Sequence, residues 1–298
     1  MLLQLFNNLF RRPPPASEHA ASVANPAVVA LLERAQACRE DGRASEAIAL
    51  CQQALAIEPA NAAARLIWVR AQMPGEIYRQ VLRRIHEYLR PSTYVEIGVH
   101  KGYTITLARP ETIAIGIDPE PKIESPLTAR TRIFAETSDD FFARRNLRDE
   151  LGGLAVELAF IDGLHHFEFA LRDFINVESY SAPGSTILIH DCFPLDAVTA
   201  ARERVYSFWS GDVWKLVLCL KKYRPELSIH TIASAPTGLA VIRNLDPTTT
   251  VLRTRLQEIS DEFISTPFAV IEDRKSELLN LFPNEWDKIR ALLSSPSY

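Results

Sequence analysis

Cysteine is scarce in this chain of 298 residues: Cys38, Cys51, Cys192 and Cys219 are the only four, and no two form a CxxC pair. So few, so spaced, are not a secreted disulfide scaffold, and a reducing cytoplasm is the expected compartment. Excess positive charge is also missing. The formal net charge is -4 and the basic residues are scattered, which removes the electrostatic footprint of a protein that grips phosphate backbones. Nucleic acid is therefore not an expected partner. No apolar run approaches the roughly 20 residues that cross a bilayer, so no transmembrane segment is expected. The opening "MLLQLFNNLFRR" places its arginines after its apolar residues, the reverse of a secretory signal, and reads as a frayed terminus or a weak amphipathic contact.

With 47% hydrophobic and 23% charged residues, the chain can bury one large core with a smaller appendage. "RRPPPASEHAASVANP" has no hydrophobic period, so residues 1–26 read as a flexible segment and linker, with order starting near Ala27. Residues 27–75 place Ala, Leu and Cys at helical spacing on both sides of "DGRAS", a helical hairpin. Its second half, "GRASEAIALCQQALAIEP", resembles a tetratricopeptide repeat, with Gly42 at the turn, Ala47, Cys51 and Ala54 as small packing positions and Pro59 after the second helix. One such hairpin cannot bury its own apolar face. It is expected to dock on the main domain, on a twin subunit in a homo-oligomer, or on another protein.

"PGEIYRQVLRRIHEYLRPS" follows as an amphipathic helix ended by Pro91, and residues 76–246 then alternate β-branched runs with helical stretches. "TYVEIG", "TIAIGID", "TRIFAE", "ELAFIDG" and "STILIHD" are the parallel strands this alternation predicts. "LSIHTIAS" and "GLAVIRN", joined by "APTG", suit an antiparallel hairpin at the sheet edge. The expected fold class is α/β: a Rossmann-like, seven-stranded, mostly parallel sheet with a C-terminal antiparallel hairpin and an N-terminal helical hairpin. Residues 247–298 read as a helical extension without legible chemistry.

"YVEIGVHKGYTITLA" reads as a strand, a glycine-bounded turn and the start of a helix. In open parallel sheets ligands bind beyond the carboxyl ends of the strands, and glycines in the first turn admit close approach. A dinucleotide fingerprint would read GxGxxG, whereas this segment reads E-x-G-x-x-x-G across Glu96, Gly98 and Gly102. "VEIGVHKG" instead resembles the first motif of the class I S-adenosylmethionine-dependent methyltransferases. That resemblance implies that Glu96 and the loop of Gly98 and Gly102 hold the methionine portion of S-adenosylmethionine. Asp118 ends the next strand 22 residues beyond Glu96, a spacing at which an acid can accept both ribose hydroxyl protons. "TRIFAETSDDFF" resembles the family's adenine-side segment, which makes Thr137, Ser138 and Asp139 cofactor candidates; the same short polar residues would also cap a helix.

"LAFIDGLHHFEFALRDF" and "PGSTILIHDCFP" resemble a methyltransferase subfamily, with IDG-x-H after the fourth strand and HD after the fifth, that includes O-methyltransferases of small molecules and sugars. Adjacent strand ends bring Asp162, His190 and Asp191 to one rim, where two carboxylates and an imidazole can hold a divalent metal, magnesium or another. Carried over from the catechol O-methyltransferase pattern, Asp162, His190 and Asp191 fall on metal positions and His165 on the catalytic base, while Asp162 also serves the cofactor. His190 replaces an oxygen ligand of that pattern, and it would otherwise hydrogen-bond within the rim. His166 is assigned to structure, and Asp173 is expected to pair with a nearby Arg or Lys. Phe193, Tyr206, Trp209 and Trp214 either line an acceptor pocket or pack a helix on the sheet.

Together these features predict a cytoplasmic S-adenosylmethionine-dependent methyltransferase that acts on an oxygen of a small molecule or glycoside. Two rivals remain on the sequence: a non-catalytic methyltransferase-like interaction protein, and an NAD-dependent Rossmann enzyme.

Overall fold

A computed structural model describes residues 25–294. The expected segment 1–26 lies, apart from Asn25 and Pro26, outside the described residues. Asn25 caps the first helix through its side chain and Pro26 occupies the first turn, where its missing N–H costs nothing, so that helix starts one residue before the expected Ala27.

Three helices come first, α1 (Pro26–Glu40), α2 (Ala44–Ile57) and α3 (Ala62–Gln72). Gly42 makes the turn between α1 and α2 at φ +76°. Ala47, Cys51 and Ala54 of α2 are fully buried, and Ile67, Ala71 and Ala64 of α3 close over the small-residue faces of the pair. The opposite side of α3 sends Leu66 and Val69 into the main core. The hairpin thus docks on the main domain through α3. The four cysteines are free and buried.

The amphipathic helix α4 (Tyr78–Leu89) leads into β1 (Thr93–Ile97), β2 (Ile113–Ile117), β3 (Arg130–Phe134), α5 (Ser138–Arg144), α6 (Leu147–Glu150), β4 (Val156–Ile161), α7 (Phe167–Ser179) and β5 (Ser181–His190). Then follow α8 (Trp214–Tyr223), β6 (Ser228–Ile232), β7 (Leu239–Arg243), α9 (Val251–Thr254), α10 (Leu256–Ile264), α11 (Lys275–Leu278), β8 (Leu281–Phe282) and α12 (Trp286–Ser294). The strand order is β3-β2-β1-β4-β5-β7-β6-β8. β1 to β5 are parallel to one another, and β7 runs antiparallel to both β5 and β6.

Side chains alternate across the sheet as the pleat demands. Val95, Ile97, Ala159, Ile161, Ile187 and Ile189 face the core under α3, α5, α7 and α8. Tyr94, Leu158, Phe160 and Leu188 face the core under α4 and α12, where Tyr78, Val81, Leu82 and Ile85 supply one helical stripe. Both faces are covered, which explains why the strands are apolar throughout.

Two expectations need correction. The sheet has eight strands, because Leu281 and Phe282 pair in parallel with Thr231 and Ile232 at its edge; two residues carry no readable period, and the extension looked wholly helical. The turn after β1 does not open an α-helix. Only a single turn of 3-10 helix, Ile105–Leu107, follows it. Thr104, Ile105 and Thr106 are β-branched and lose side-chain freedom in a helix, and Pro110 stops any extension.

Candidate active site

The strand tips of β1, β2, β4 and β5 open onto a cavity of about 390 Å³, within the size range of small-molecule sites. Of the residues expected to serve there, Gly98, Asp118, Thr137, Ser138, Asp139, Asp162, His165, His190 and Asp191 line it. Glu96 and Gly102 are not among the lining residues. Glu96 is fully buried and accepts hydrogen bonds from the hydroxyls of Tyr94 at 2.7 Å and Thr104 at 2.6 Å. It ties the loop after β1 to the strand beneath it.

Gly98 has φ +88°, and a Cβ there would fall 2.0 Å from the carbonyl oxygen of Asp162. Only glycine lets the loop cross the end of β4 so closely. Three amides of this loop are engaged within the protein. Gly98 N donates to Ile117 O at 2.8 Å, Gly102 N to Val99 O at 2.9 Å, and His100 N to Asp118 Oδ2 at 2.8 Å. Glu120 N donates to Asp118 Oδ1 at 2.7 Å. Two amides therefore orient the Asp118 carboxylate while each oxygen keeps a further lone pair for a ligand.

At the β3 end, Thr137 caps α5 by accepting from Asp140 N at 3.1 Å, and Asp139 forms a two-pronged ion pair with Arg172 at 2.8 and 2.7 Å. Arg172, the basic residue next to Asp173 in sequence, thus makes its hydrogen bonds to Asp139 and acts on Asp173 only through its charge. Asp173 itself is buried and lines the cavity, and burial pushes its carboxyl pKa up to about 7 against the opposing influence of Ser138.

The chemical cluster sits at the other end. The register pairs Ile161 with Ile189, so Asp162 follows β4 directly beside His190. His190 Nδ1 lies 3.4 Å from both Asp162 Oδ1 and Asp191 Oδ2. Burial alone would lower its pKa, but the two carboxylates outweigh burial and hold it well above the usual value, so His190 is an imidazolium near neutrality. Tyr78 lays its ring against this cation at a centroid distance of 4.1 Å. Burial would raise Asp191, yet the neighbouring imidazoles and the Thr237 hydroxyl, which donates at 2.6 Å, depress it strongly. Asp191 adopts φ +62°, a conformation that costs energy outside glycine and recurs at functional sites.

His165 Nε2 lies 3.2 Å from Asp191 Oδ2 and 3.8 Å from Asp162 Oδ1. Asp162, His165 and Asp191 bring one ligand atom each within 4.8 Å of one another, so the set with metal-ligand spacing uses His165 where the sequence pointed to His190. Trp209 stacks on the His165 ring at 5.0 Å and 13°, and Gly211 passes so close that a Cβ would lie 1.9 Å from the His165 carbonyl oxygen. Asp212 fixes the same turn, its amide donating to His165 O at 3.2 Å and its carboxylate accepting from Phe167 N at 2.8 Å. Of the four aromatics proposed for the acceptor side, only Trp209 is among the lining residues; Phe193 and Trp214 are buried in the core, and Tyr206 packs under the Arg65 guanidinium. His166 stands before α7 and contacts Arg202 O at 3.1 Å. Tyr78, Asp173, Arg204, Pro236 and Thr237 are wall residues that sequence reasoning did not assign to the site, and Asp212 is a support that it missed. "GDVWK" and "TGLAVI" were the available signals for Asp212 and Thr237, while nothing marked Tyr78.

Comparison with known proteins adds a partial likeness. Residues 95–192 match the family model described as a methyltransferase domain. No curated protein matches the sequence. Among solved structures, the chain is similar to an O-methyltransferase from Streptomyces achromogenes involved in tomaymycin synthesis, in complex with SAM, at 13% identity and a TM-score of 0.44, covering 77% of this chain and 94% of that one. It is also similar to an O-methyltransferase from Bacillus cereus in complex with SAH, at 14% identity and a TM-score of 0.43, covering 64% of this chain and 94% of that one. Among the described residues, no helix is long and apolar enough to cross a membrane. Over residues 95–192 the chain is thus similar to a methyltransferase domain.

Proposed function

We propose that the protein transfers the methyl group of S-adenosylmethionine to an oxygen of a small molecule or glycoside, with His165 as the base. The observation that carries this reading is one continuous cavity that joins the pre-oriented Asp118 carboxylate to the cluster of Asp162, His165 and Asp191. Asp118 supplies acceptors for two ribose hydroxyls, and the acidic lining suits a sulfonium cation. A dinucleotide fits this cradle poorly. The loop amides of Gly98, His100 and Gly102 already have partners, and the three-residue 3-10 turn behind them offers no helix dipole.

Methyl transfer is an in-line displacement: an acceptor oxygen forms a bond to the methyl carbon as the carbon–sulfur bond breaks, and the sulfonium leaves as a neutral thioether. The carbon is already activated, so the protein's task is alignment, which can contribute roughly 7 to 11 kcal/mol, together with removal of the hydroxyl proton. The imidazolium formed when His165 takes up a proton is stabilised by the carboxylates of Asp191 and Asp162, 3.2 and 3.8 Å from its Nε2. Trp209, Gly211 and Asp212 fix that ring in place. A second reading rests on the ligand spacing of Asp162, His165 and Asp191. Two carboxylate oxygens and an imidazole nitrogen suit a borderline divalent ion better than magnesium. Such an ion, when bound, would acidify the acceptor hydroxyl, and His165 would then be a ligand in place of a base.

Calorimetric titration with S-adenosylmethionine tests the first reading. Micromolar binding that Asp118→Ala abolishes is expected; binding of NAD without S-adenosylmethionine, or of neither, refutes it. Mass spectrometry of a cell extract incubated with methyl-labelled cofactor would then identify the acceptor.

A further inference from the structure

We propose that Lys275, in the C-terminal extension, is a positioning residue for the active site: by holding the loop after β5 it fixes the Thr237 hydroxyl, which in turn sets the Asp191 carboxylate against His165. The inference rests on the methyltransferase reading, in which His165 works beside Asp191, and it holds whether His165 is a base or a metal ligand.

Lys275 opens α11 and reaches across to the chain that leaves β5. Its Nζ donates to Pro194 O at 2.7 Å and to Leu195 O at 2.9 Å, and it lies 4.7 Å from the centroid of the Phe193 ring. Burial lowers its pKa to about 8 while Asp196 opposes the fall, so the amine is charged near neutrality and both bonds are charge-assisted. The loop passes this hold on. Phe193 N donates to Thr237 O at 2.7 Å, and a Cβ on Gly238 would lie 2.6 Å from the Phe193 Cβ, so the backbone at 237–238 packs directly on Phe193. Thr237 Oγ1 donates to Asp191 Oδ1 at 2.6 Å, and the other carboxylate oxygen, Oδ2, faces His165 Nε2 at 3.2 Å.

Such a hold has work to do at this point of the chain. Asp191 has φ +62°, and a non-glycine residue keeps that conformation only where its surroundings impose it. The carbonyls that Lys275 binds lie three and four residues further on. The extension is itself anchored independently of Lys275: Ile271 and Leu279 are fully buried, Lys221 Nζ donates to Leu278 O and Asn280 Oδ1 at 2.8 Å each, and β8 pairs with β6. Lys275 therefore ties the loop to a fixed frame, and removal of its amine leaves that frame in place.

The test uses the full chain and K275M, which keeps an apolar stem and loses the donor. Two quantities are read per folded molecule: S-adenosylhomocysteine binding by calorimetry, and the initial rate of label transfer from methyl-labelled S-adenosylmethionine into a cell extract. The rate should fall by about tenfold or more while the affinity for S-adenosylhomocysteine stays within about threefold, the pattern of a misplaced reacting group. K275R, which keeps the charge and paired donors, should recover most of the rate. T237V should be at least as slow as K275M, and K275M/T237V no slower than T237V alone, because both changes cut one linkage. A K275M protein with a lower urea midpoint and an unchanged rate has lost only a structural contact, which overturns the proposal; so do losses that multiply in the double variant. K275Q, neutral and shorter, takes the place of K275M in every comparison should that variant fail to fold. Absence of S-adenosylhomocysteine binding by the wild-type protein overturns the methyltransferase reading itself, whereas retained binding with an unchanged K275M rate overturns only the role of Lys275.

Discussion

A Cβ on residue 98 would stand 2.0 Å from the carbonyl oxygen of Asp162, so the turn after β1 and the tip of β4 meet at a point that only glycine can occupy. Gly98→Ala is therefore expected to cost more than the ~1–3 kcal/mol of left-handed strain alone, because backbone must also move. Gly152 provides the control: its φ is +68° but open space surrounds it, so Gly152→Ala should cost about 1–2 kcal/mol and leave cofactor affinity intact. Denaturant unfolding and S-adenosylhomocysteine titration of both variants check this, and equal losses would contradict the crossing argument.

Glu96 joins Tyr94 to Thr104 in the buried layer below the same turn. Replacing it by Ala leaves two hydroxyls without their acceptor and should destabilise the protein by about 1–3 kcal/mol, or more for a charged group. Cofactor binding should weaken through disorder of the loop. Unchanged stability with lost binding would instead place Glu96 in direct contact with the ligand.

His165→Gln should lower kcat by about 10²- to 10⁴-fold while cofactor affinity stays within a few-fold, the pattern of a lost general base. Isotope-traced methyl transfer with the identified acceptor measures the first quantity and calorimetry the second. A fall in cofactor affinity as large as the fall in kcat would speak against the role.

Asp191→Ala and exhaustive chelation separate the two readings of the cluster. If a metal acts there, chelation abolishes turnover, and zinc or manganese restores it better than magnesium. Full activity after chelation refutes the metal reading and leaves His165 as the base.

His86 predicts an acid-sensitive fold. It is buried on α4, its ring nitrogens lack hydrogen-bond partners, and burial lowers it to about 4 from an ordinary 6.5. Because the folded value is depressed, the unfolded chain takes up a proton that the folded chain refuses as pH falls below 6.5. The stability contributed by neutral His86 is therefore present above pH 6.5 and is lost as pH falls toward 4, by about 3 kcal/mol in all. His86→Phe, beside Tyr94, should flatten that part of the profile. Parallel urea-denaturation curves for the two proteins between pH 7 and 4 would disprove it.

The strand tips are legible because a buried parallel strand is an uninterrupted apolar run that ends abruptly in its polar residue. In "AIGID" and "ILIHD" that abrupt end marks Asp118, His190 and Asp191 directly. Asp173 and Asp212 are not legible as site residues. Each sits in a stretch where a carboxylate normally faces water or a neighbouring cation, and only the packing of α7 and α8 buries them. Tyr78 belongs to a helix that precedes the sheet, and its stacking on His190 depends on a contact between segments more than 100 residues apart.

By itself the sequence determined which residues end the strands, the glycine turn between Glu96 and Gly102, and the α/β alternation, since periodicity and turn chemistry act between near neighbours. Tertiary structure alone decided that Glu96 holds a loop, that His165 rather than His190 completes the trio with metal-ligand spacing, and that Asp173 is buried in the cavity wall. The reason is physical: hydrogen-bond partners and solvation are set by what packs across space, and a side chain's neighbours in the chain do not reveal them.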